Sequence, residues 1–316
     1  MQNKAPDFSD IKDAHKRIKP FIHNTPVLSS KSINEILDVD IYFKCENFQK
    51  VGAFKFRGAT NAVRLLDHDE AKKGVTTHSS GNHAAALSLA AKQLGVPAYI
   101  VMPTSAPEIK KKAVEGYGAK ITFCEPTLKA REETLKKVQE ETGATFIHPY
   151  NNFNVICGQG TAAIEFLQEV NDLDILMAPV GGGGLMSGTV ISSKAINPNI
   201  KVYGAEPLNA DDAFRSLKEG VLYPALPSNT IADGLLTSLG TLAFQILKER
   251  LDGIFTVKED SIKQAMRIIW ERMKIIIEPS SAVPLAAIIE DREKFKGKKV
   301  GIIVTGGNVD LGKLPF

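Results

Sequence analysis

From Gly74 onward the chain repeats one phrase: a short apolar or β-branched run, a glycine-rich or polar turn, then a segment with helical spacing. Gly74-Val75-Thr76-Thr77-His78 stops at Ser79-Ser80-Gly81-Asn82, and an Ala/Leu-rich helix runs from Ala84 to Leu94, closed by Gly95 and Pro97. PAYIVMP reads as the next strand, PEIKKKAVEGYG as a helix with Pro at its start, and AKITFCEP as another strand. LKAREETLKKVQEETG is a charged surface helix in which Glu132 and Glu133 precede Lys136 and Lys137, the order the helix dipole favours. TFIHPY closes the unit as a strand. Alternation of this kind means a parallel sheet with helical crossovers.

A second run follows the same grammar. ILMAPV is a strand, GGGGL a turn and MSGTVISSKAI a helix; IKVYGAEP is a strand, AFRSLKEG a helix and GIFTVKED a strand. SIKQAMRIIWERMK reads as a helix with a Ser cap, and VGIIVTGG as the last strand. No Pro/Gly/Ser linker separates the two runs, so two domains sharing an interface are expected. The N-terminal part (helix from Ile11 to Ile18, strand IYFKCEN) is expected to pack on the second run. The domains are therefore read as 1–50 with 150–316, a large one, and 51–149, a small mobile one. At about 150 residues per domain, 316 residues agree with two. In an α/β protein of this kind ligands are expected beyond the carboxyl ends of the strands.

Composition excludes several classes of function. Lys and Arg number 39 against 36 for Asp and Glu, too even a balance to draw nucleic acid or a membrane surface by field alone. No run reaches the roughly 18 apolar residues of a membrane span, and the N-terminus has no apolar signal core. Cys45, Cys124 and Cys157 lack CxxC spacing, which suits a reducing cytoplasm. A soluble cytoplasmic protein is expected.

Four turns could carry chemistry. Gly181-Gly182-Gly183-Gly184 lies between a strand and a helix, where bare N–H groups can face one anion; a plain βα turn usually needs fewer glycines, so the run favours a phosphate. It is not a P-loop, since no Gly-Lys-Ser/Thr follows. Gly158-Gln159-Gly160-Thr161-Ala162-Ala163 nearly fits the dinucleotide fingerprint but has no convincing strand before it, leaving a nicotinamide dehydrogenase as a weak alternative. Ser79-Ser80-Gly81-Asn82-His83 offers hydroxyls, an amide and free N–H groups at a helix start; it suits a carboxylate or ring hydroxyl, and equally a plain helix cap. Thr305-Gly306-Gly307-Asn308 alone is an ordinary turn. In Gly52-Ala53-Phe54-Lys55-Phe56-Arg57-Gly58 the lysine sits between aromatics, where desolvation would lower its proton affinity and make it a nucleophile or base, although a snorkelling surface lysine is commoner. Together the four turns imply a phosphate, an amine-reactive aldehyde and a carboxylate substrate, which is pyridoxal phosphate chemistry.

The order AFKFRGA, SSGNH, GGGGL, GAEPLNADD, EPSSA and TGGNVD resembles the serine racemase and serine/threonine dehydratase family, of the two-domain tryptophan-synthase β fold, fold type II. The resemblance covers essentially the whole chain. It implies that Lys55 carries pyridoxal 5'-phosphate and acts as base, with Ser80 as a second proton carrier on the other face. It implies further that Phe54 packs near the ring, Asn82 bonds the ring hydroxyl, Gly181, Gly182, Gly183 and Gly184 with Met186 hold the phosphate, and Thr305 faces the pyridine nitrogen. Ser79, Ser80, Asn82 and His83 would meet the substrate. Glu206, the carbonyl of Ala210 and Asp212 would bind Mg²⁺ (or Ca²⁺ or Mn²⁺); locally, Asp211 and Asp212 read as helix caps. Val51 supplies no hydroxyl, and Lys31 stands where nucleotide-activated racemases have a small residue, which counts against nucleotide activation. With nothing after the last motif, no feedback-regulatory domain is expected. The function implied is dehydration of L-serine and L-threonine to a 2-oxo acid and ammonia by a homodimer, with serine racemase activity. The alternatives are an amino-acid racemase (serine or aspartate), a 3-hydroxyaspartate dehydratase, in which case Arg131 and Tyr117 would sense the second carboxylate, and a non-catalytic amino-acid-binding protein.

Overall fold

The computed structural model describes residues 4–79, 81–106 and 108–316. Among the described residues, ten strands form two sheets. The larger runs in the order β1 (Val27–Ser29), β2 (Asp40–Cys45), β10 (Lys299–Val304), β7 (Ile175–Pro179), β8 (Lys201–Pro207), β9 (Gly253–Val257). Only β1 is antiparallel to its neighbour. The smaller sheet is parallel throughout, in the order β5 (Lys120–Cys124), β4 (Ala98–Pro103), β3 (Val75–His78), β6 (Thr145–Phe146). The architecture is α/β, as the alternation of runs predicts.

Helices cover both faces of the larger sheet, and the strands show it residue by residue. In β7, Ile175 and Met177 join one apolar cluster, while Leu176 and Ala178 join the other. A strand buried on both faces reads as a continuous apolar run, which is why ILMAPV carries no polar alternation. The N-terminal strand β2 lies between β1 and β10, so the early chain does pack on the second run. No described helix is long and apolar enough to cross a membrane.

Three expectations are revised. GQGTAA lies inside the helix Phe153–Glu169. A Cβ on Gly158 would stand 2.6 Å from the Arg57 carbonyl oxygen, and one on Gly160 would stand 2.8 Å from that of Gly188. These glycines let helices touch backbone to backbone; they are not a dinucleotide loop. The helix Glu259–Met273 starts after Lys258 and takes no side-chain cap from Ser261. The strand read in TFIHPY ends at Phe146, because His148 Nδ1 accepts from Tyr150 N at 3.3 Å and Asn151 N at 3.0 Å, folding the chain into a turn, and Pro149 has no N–H for a ladder.

A buried ionic network ties these elements together. Arg57, with no exposed surface, donates to Glu46 (Nε–Oε2 2.7 Å, Nη2–Oε1 2.8 Å) and to Glu165 (Nη1–Oε1 2.8 Å, Nη2–Oε2 2.6 Å). Lys44, equally buried, reaches Glu165 Oε2 at 2.9 Å and the Thr25 carbonyl at 2.7 Å. The helix Lys55–Val63 is thereby fixed to the end of β2 and to the helix Phe153–Glu169. Arg57→Leu leaves Glu46 without its cation, so we expect a loss of about 3–5 kcal/mol in urea unfolding and a clearly lower Tm; an unchanged midpoint would show that the network carries no stability.

Candidate active site

The carboxyl ends of three parallel strands of the larger sheet and one strand of the smaller lead into the candidate turns. β10 runs into Thr305-Gly306-Gly307, β7 into the glycine loop, β3 into Ser79, and β2, through two single helical turns, into Lys55. The approach to Lys55 is pinned to the end of β10: Phe54 N donates to the Thr305 carbonyl at 2.9 Å and Gly307 N to the Gly52 carbonyl at 3.0 Å.

Lys55 opens its helix half-buried, with Nζ donating to the Pro149 carbonyl at 2.9 Å, 5.1 Å from the Phe54 ring centre and 6.0 Å from that of Tyr150. Burial lowers its pKa from 10.5 to about 8, opposed by the charge of Glu278. Roughly a tenth of the amine is therefore neutral and nucleophilic at pH 7, against far less at the ordinary lysine value.

Tyr150 and Ala243 crowd the glycine loop. A Cβ on Gly182 would fall 2.2 Å from Tyr150 Cγ, and Gly183 combines φ of +82° with a Cβ position 2.7 Å from that of Ala243. Only glycine fits either position. Among the described residues none of the N–H groups from Gly181 to Gly184 donates to a protein acceptor outside the helix Gly184–Ile196. A loop of unspent N–H groups at a helix N-terminus fits a phosphate. The Met186 side chain is wholly buried in the apolar cluster, so only its backbone can face an anion.

Asn82 begins the helix Asn82–Leu94; its Nδ2 lies 3.1 Å from each oxygen of Glu278, and its Oδ1 accepts from Asn308 Nδ2 at 2.9 Å. Ser79 Oγ accepts from Gly81 N at 3.4 Å. Ser80 lies outside the described residues. His83 is buried; burial, with the nearby Lys55 charge, lowers its pKa to about 3, so the ring is neutral. Nε2–H is the tautomer that can donate to the Ile147 carbonyl at 3.1 Å, which leaves Nδ1 a buried acceptor with no partner among the described residues. Thr305 is buried, its Oγ1 2.9 Å from Ser281 Oγ. His78, Phe146, His148 and Tyr150 form a chain of ring contacts with centroid spacings of 5.7, 5.6 and 4.6 Å, the first pair stacked and the other two edge-to-face. Tyr150, Ser281 and Glu278 were given no role by sequence reasoning, although Glu278 and Ser281 lie in the EPSSA segment that carries part of the resemblance.

Beside the glycine loop, Glu206 is the last residue but one of β8. Its oxygens accept from Ala213 N at 3.2 Å and Phe214 N at 2.8 Å, so Glu206, rather than Asp211 or Asp212, caps the helix Asp212–Glu219. Burial raises its pKa well above 4.5, and burial also raises that of Asp212, to about 6. Asp212 Oδ2 is buried without a partner among the described residues. No cluster of three His, Cys, Asp or Glu side chains suited to a metal occurs among the described residues.

Residues 18–306 match the sequence family described as pyridoxal-phosphate dependent enzyme. The chain is 56% identical over 309 residues to a serine racemase of Dictyostelium discoideum, spanning 96% of this chain and 95% of that protein. It is 51% identical over 311 residues to a beta-hydroxyaspartate dehydratase of Paracoccus denitrificans, spanning 98% and 99%. Its fold matches the structure of maize serine racemase with a TM-score of 0.95 at 46% identity, covering 98% of this chain and 95% of that one.

The lowered pKa of Lys55 sets a pH dependence. Its reactive form is the deprotonated amine, present above the pKa and lost below it. Uptake of an aldehyde by the unloaded protein should therefore rise through about pH 8 and level off above it, as stopped-flow absorbance would record. A rise centred near 10.5, the ordinary lysine value, would refute the desolvated site.

Proposed function

The chain belongs to the pyridoxal-phosphate-dependent enzymes, and on that footing we propose that it eliminates water from L-serine and L-threonine, giving a 2-oxo acid and ammonia, and also racemises serine. The observation that carries the reading is the desolvated Lys55 amine at the point where the glycine loop, Asn82 and Thr305 converge. Bound there, pyridoxal phosphate supplies the electron sink that acidifies the Cα–H of an attached amino acid.

In this reading Lys55 would hold the cofactor through its amine and would serve as the base for the Cα proton. Gly181 to Gly184 hold the phosphate with backbone amides, Phe54 supports the ring, Asn82 offers an Nδ2 hydrogen to the ring hydroxyl, and Thr305 faces the ring nitrogen. Ser79, Ser80 and His83 border the substrate. A neutral His83 with its Nε2 hydrogen committed presents a lone pair, so it suits a hydroxyl or ammonium donor better than a carboxylate. The smaller sheet, contained within 75–146, supports treating 51–149 as a small domain that moves over the substrate. The family resemblance supports a homodimer. Three free, buried cysteines support a reducing cytoplasmic setting.

A second reading has its own support. The dehydratase relative named above acts on beta-hydroxyaspartate, and Arg131 has a buried Nε without a partner among the described residues. In that reading 3-hydroxyaspartate is the substrate.

One incubation series separates these readings. The loaded protein is given L-serine, L-threonine or 3-hydroxyaspartate, and the 2-oxo acid and both enantiomers of the amino acid are quantified by chiral chromatography. We expect pyruvate and D-serine from L-serine, and a fall of about 10²–10⁴-fold in both for Lys55→Ala. Turnover of 3-hydroxyaspartate alone would favour the second reading. Unchanged activity in Lys55→Ala would sink both.

We also propose that Glu206, the Ala210 carbonyl and Asp212 hold Mg²⁺, Ca²⁺ or Mn²⁺ in a structural role. Two buried carboxylates, one with an unspent oxygen, form an oxygen-only donor set of the kind these ions take. EDTA should lower the Tm and the rate, and Mg²⁺ or Ca²⁺ should restore them; no change in either removes the site.

A further inference from the structure

Glu278 is buried just before the helix Pro279–Glu290, and nothing assigned above uses its charge. Its two oxygens face Asn82 Nδ2 at 3.1 Å. Asn308 Nδ2 in turn donates to Asn82 Oδ1 at 2.9 Å and to the Val51 carbonyl at 2.7 Å. The Asn82 amide is thus held at both ends. A flipped amide would set its oxygen against a carboxylate and its NH₂ against the Asn308 donor, so one orientation alone satisfies all three groups. One Nδ2 hydrogen is taken by Glu278, and the other remains for a ligand. The backbone closes over this acid: a Cβ on Gly306 would stand 2.8 Å from Glu278 Oε1.

Resting on the pyridoxal-phosphate reading, we propose that Glu278 is a positioning residue, one that locks the Asn82 amide with a donor toward the bound ring and serves as counter-charge to the Lys55 amine.

The charged groups facing it come from three other elements. Lys55 lies on one helix, while Lys110 and Asp233 pair with each other at 2.9 Å across from it. Burial raises the Glu278 pKa to about 7; the Asn82 hydrogen bond and Lys110 favour its ionised form, and Asp233 opposes it. The ionised carboxylate raises the proton affinity of Lys55, so removing it must lower the pKa of Lys55 further.

The test uses Glu278→Gln, which keeps shape and one acceptor, and Glu278→Ala, which keeps neither. Lysines of the full-length, cofactor-free protein are ¹³C-methylated and titrated by NMR, with the Lys55 signal assigned by its loss in Lys55→Arg. We expect the Lys55 midpoint to fall by about one pH unit in Glu278→Gln. We expect pyridoxal phosphate affinity to be retained in Glu278→Gln and to fall about tenfold in Glu278→Ala. An unchanged Lys55 midpoint, or wild-type cofactor affinity in Glu278→Ala, overturns the proposal. Should Glu278→Ala not fold, the near-isosteric Glu278→Gln titration decides alone. A wild-type protein that takes up no pyridoxal phosphate would instead refute the functional reading, while the Lys55 titration would still decide the coupling to Glu278.

Discussion

Two residues after the reactive lysine, a guanidinium with no exposed surface grips two carboxylates. That interaction settles where everything else at the site can be. Arg57 can satisfy Glu46 on the strand side and Glu165 on the helix side only at one rotation of its own helix, and at that rotation Lys55 Nζ meets the Pro149 carbonyl. Lys44 brings the buried set to two cations and two anions, so the set carries no net charge. Burying four charges costs more desolvation than an apolar core of the same volume would. What the network supplies is register: an apolar side chain tolerates small rotations of a helix, and a bidentate guanidinium does not.

The alternation of strand and helix was legible because crossovers leave the same marks each time, a buried run followed by glycine or small polar residues. The glycine loop and the Ser79–His83 turn could be read for the same reason: each follows a strand and opens a helix. Lys55 stood out instead by its place between two aromatics. What could not be read were contacts between distant segments. Gly158 and Gly160 look like a nucleotide loop until Gly58 and Gly188 are seen against them. Asp211 and Asp212 look like caps, whereas the cap comes from Glu206, on the preceding strand. Glu278 meets Asn82 from 196 residues away, and no local pattern announces such a pair.

Burial pushes the site's own ionisable groups toward their neutral forms. Lys55 falls to about 8, Glu278 rises to about 7, and His83 and His148 fall to about 3 and 4. A phosphate and a carboxylate would therefore be met chiefly by oriented dipoles, namely the glycine-loop amides and the Asn82 amide. Fixed dipoles in a dry site need no reorganisation as charge moves during reaction, which is the condition under which electrostatic stabilisation is most effective. The same dryness gives Lys55 a neutral amine close to neutral pH. Low polarity and basicity at the lysine thus have one cause.

The hydroxyl pair at the end of β10 bears on the fate of the charge left when a Cα–H bond breaks. Ser281 Oγ accepts from Gly306 N, and its proton has two acceptors in reach, Thr305 Oγ1 and the Gly306 carbonyl, each at 2.9 Å. If the proton goes to Gly306, Thr305 must donate to Ser281 and shows only lone pairs to the site; a ring nitrogen there would have to bring its own proton. If it goes to Thr305, the Thr305 hydrogen is free for an unprotonated nitrogen. The partner is a hydroxyl either way, and a positively charged ring nitrogen would find no counter-charge in this pair. A neutral ring would fit this pair better and would draw less charge away from Cα. Charge kept on Cα is quickly discharged, by losing a β-hydroxyl or by taking a proton back. Elimination and racemisation are then two exits from one carbon, and their ratio depends on which proton carriers stand on its two faces rather than on the fold that holds the ring.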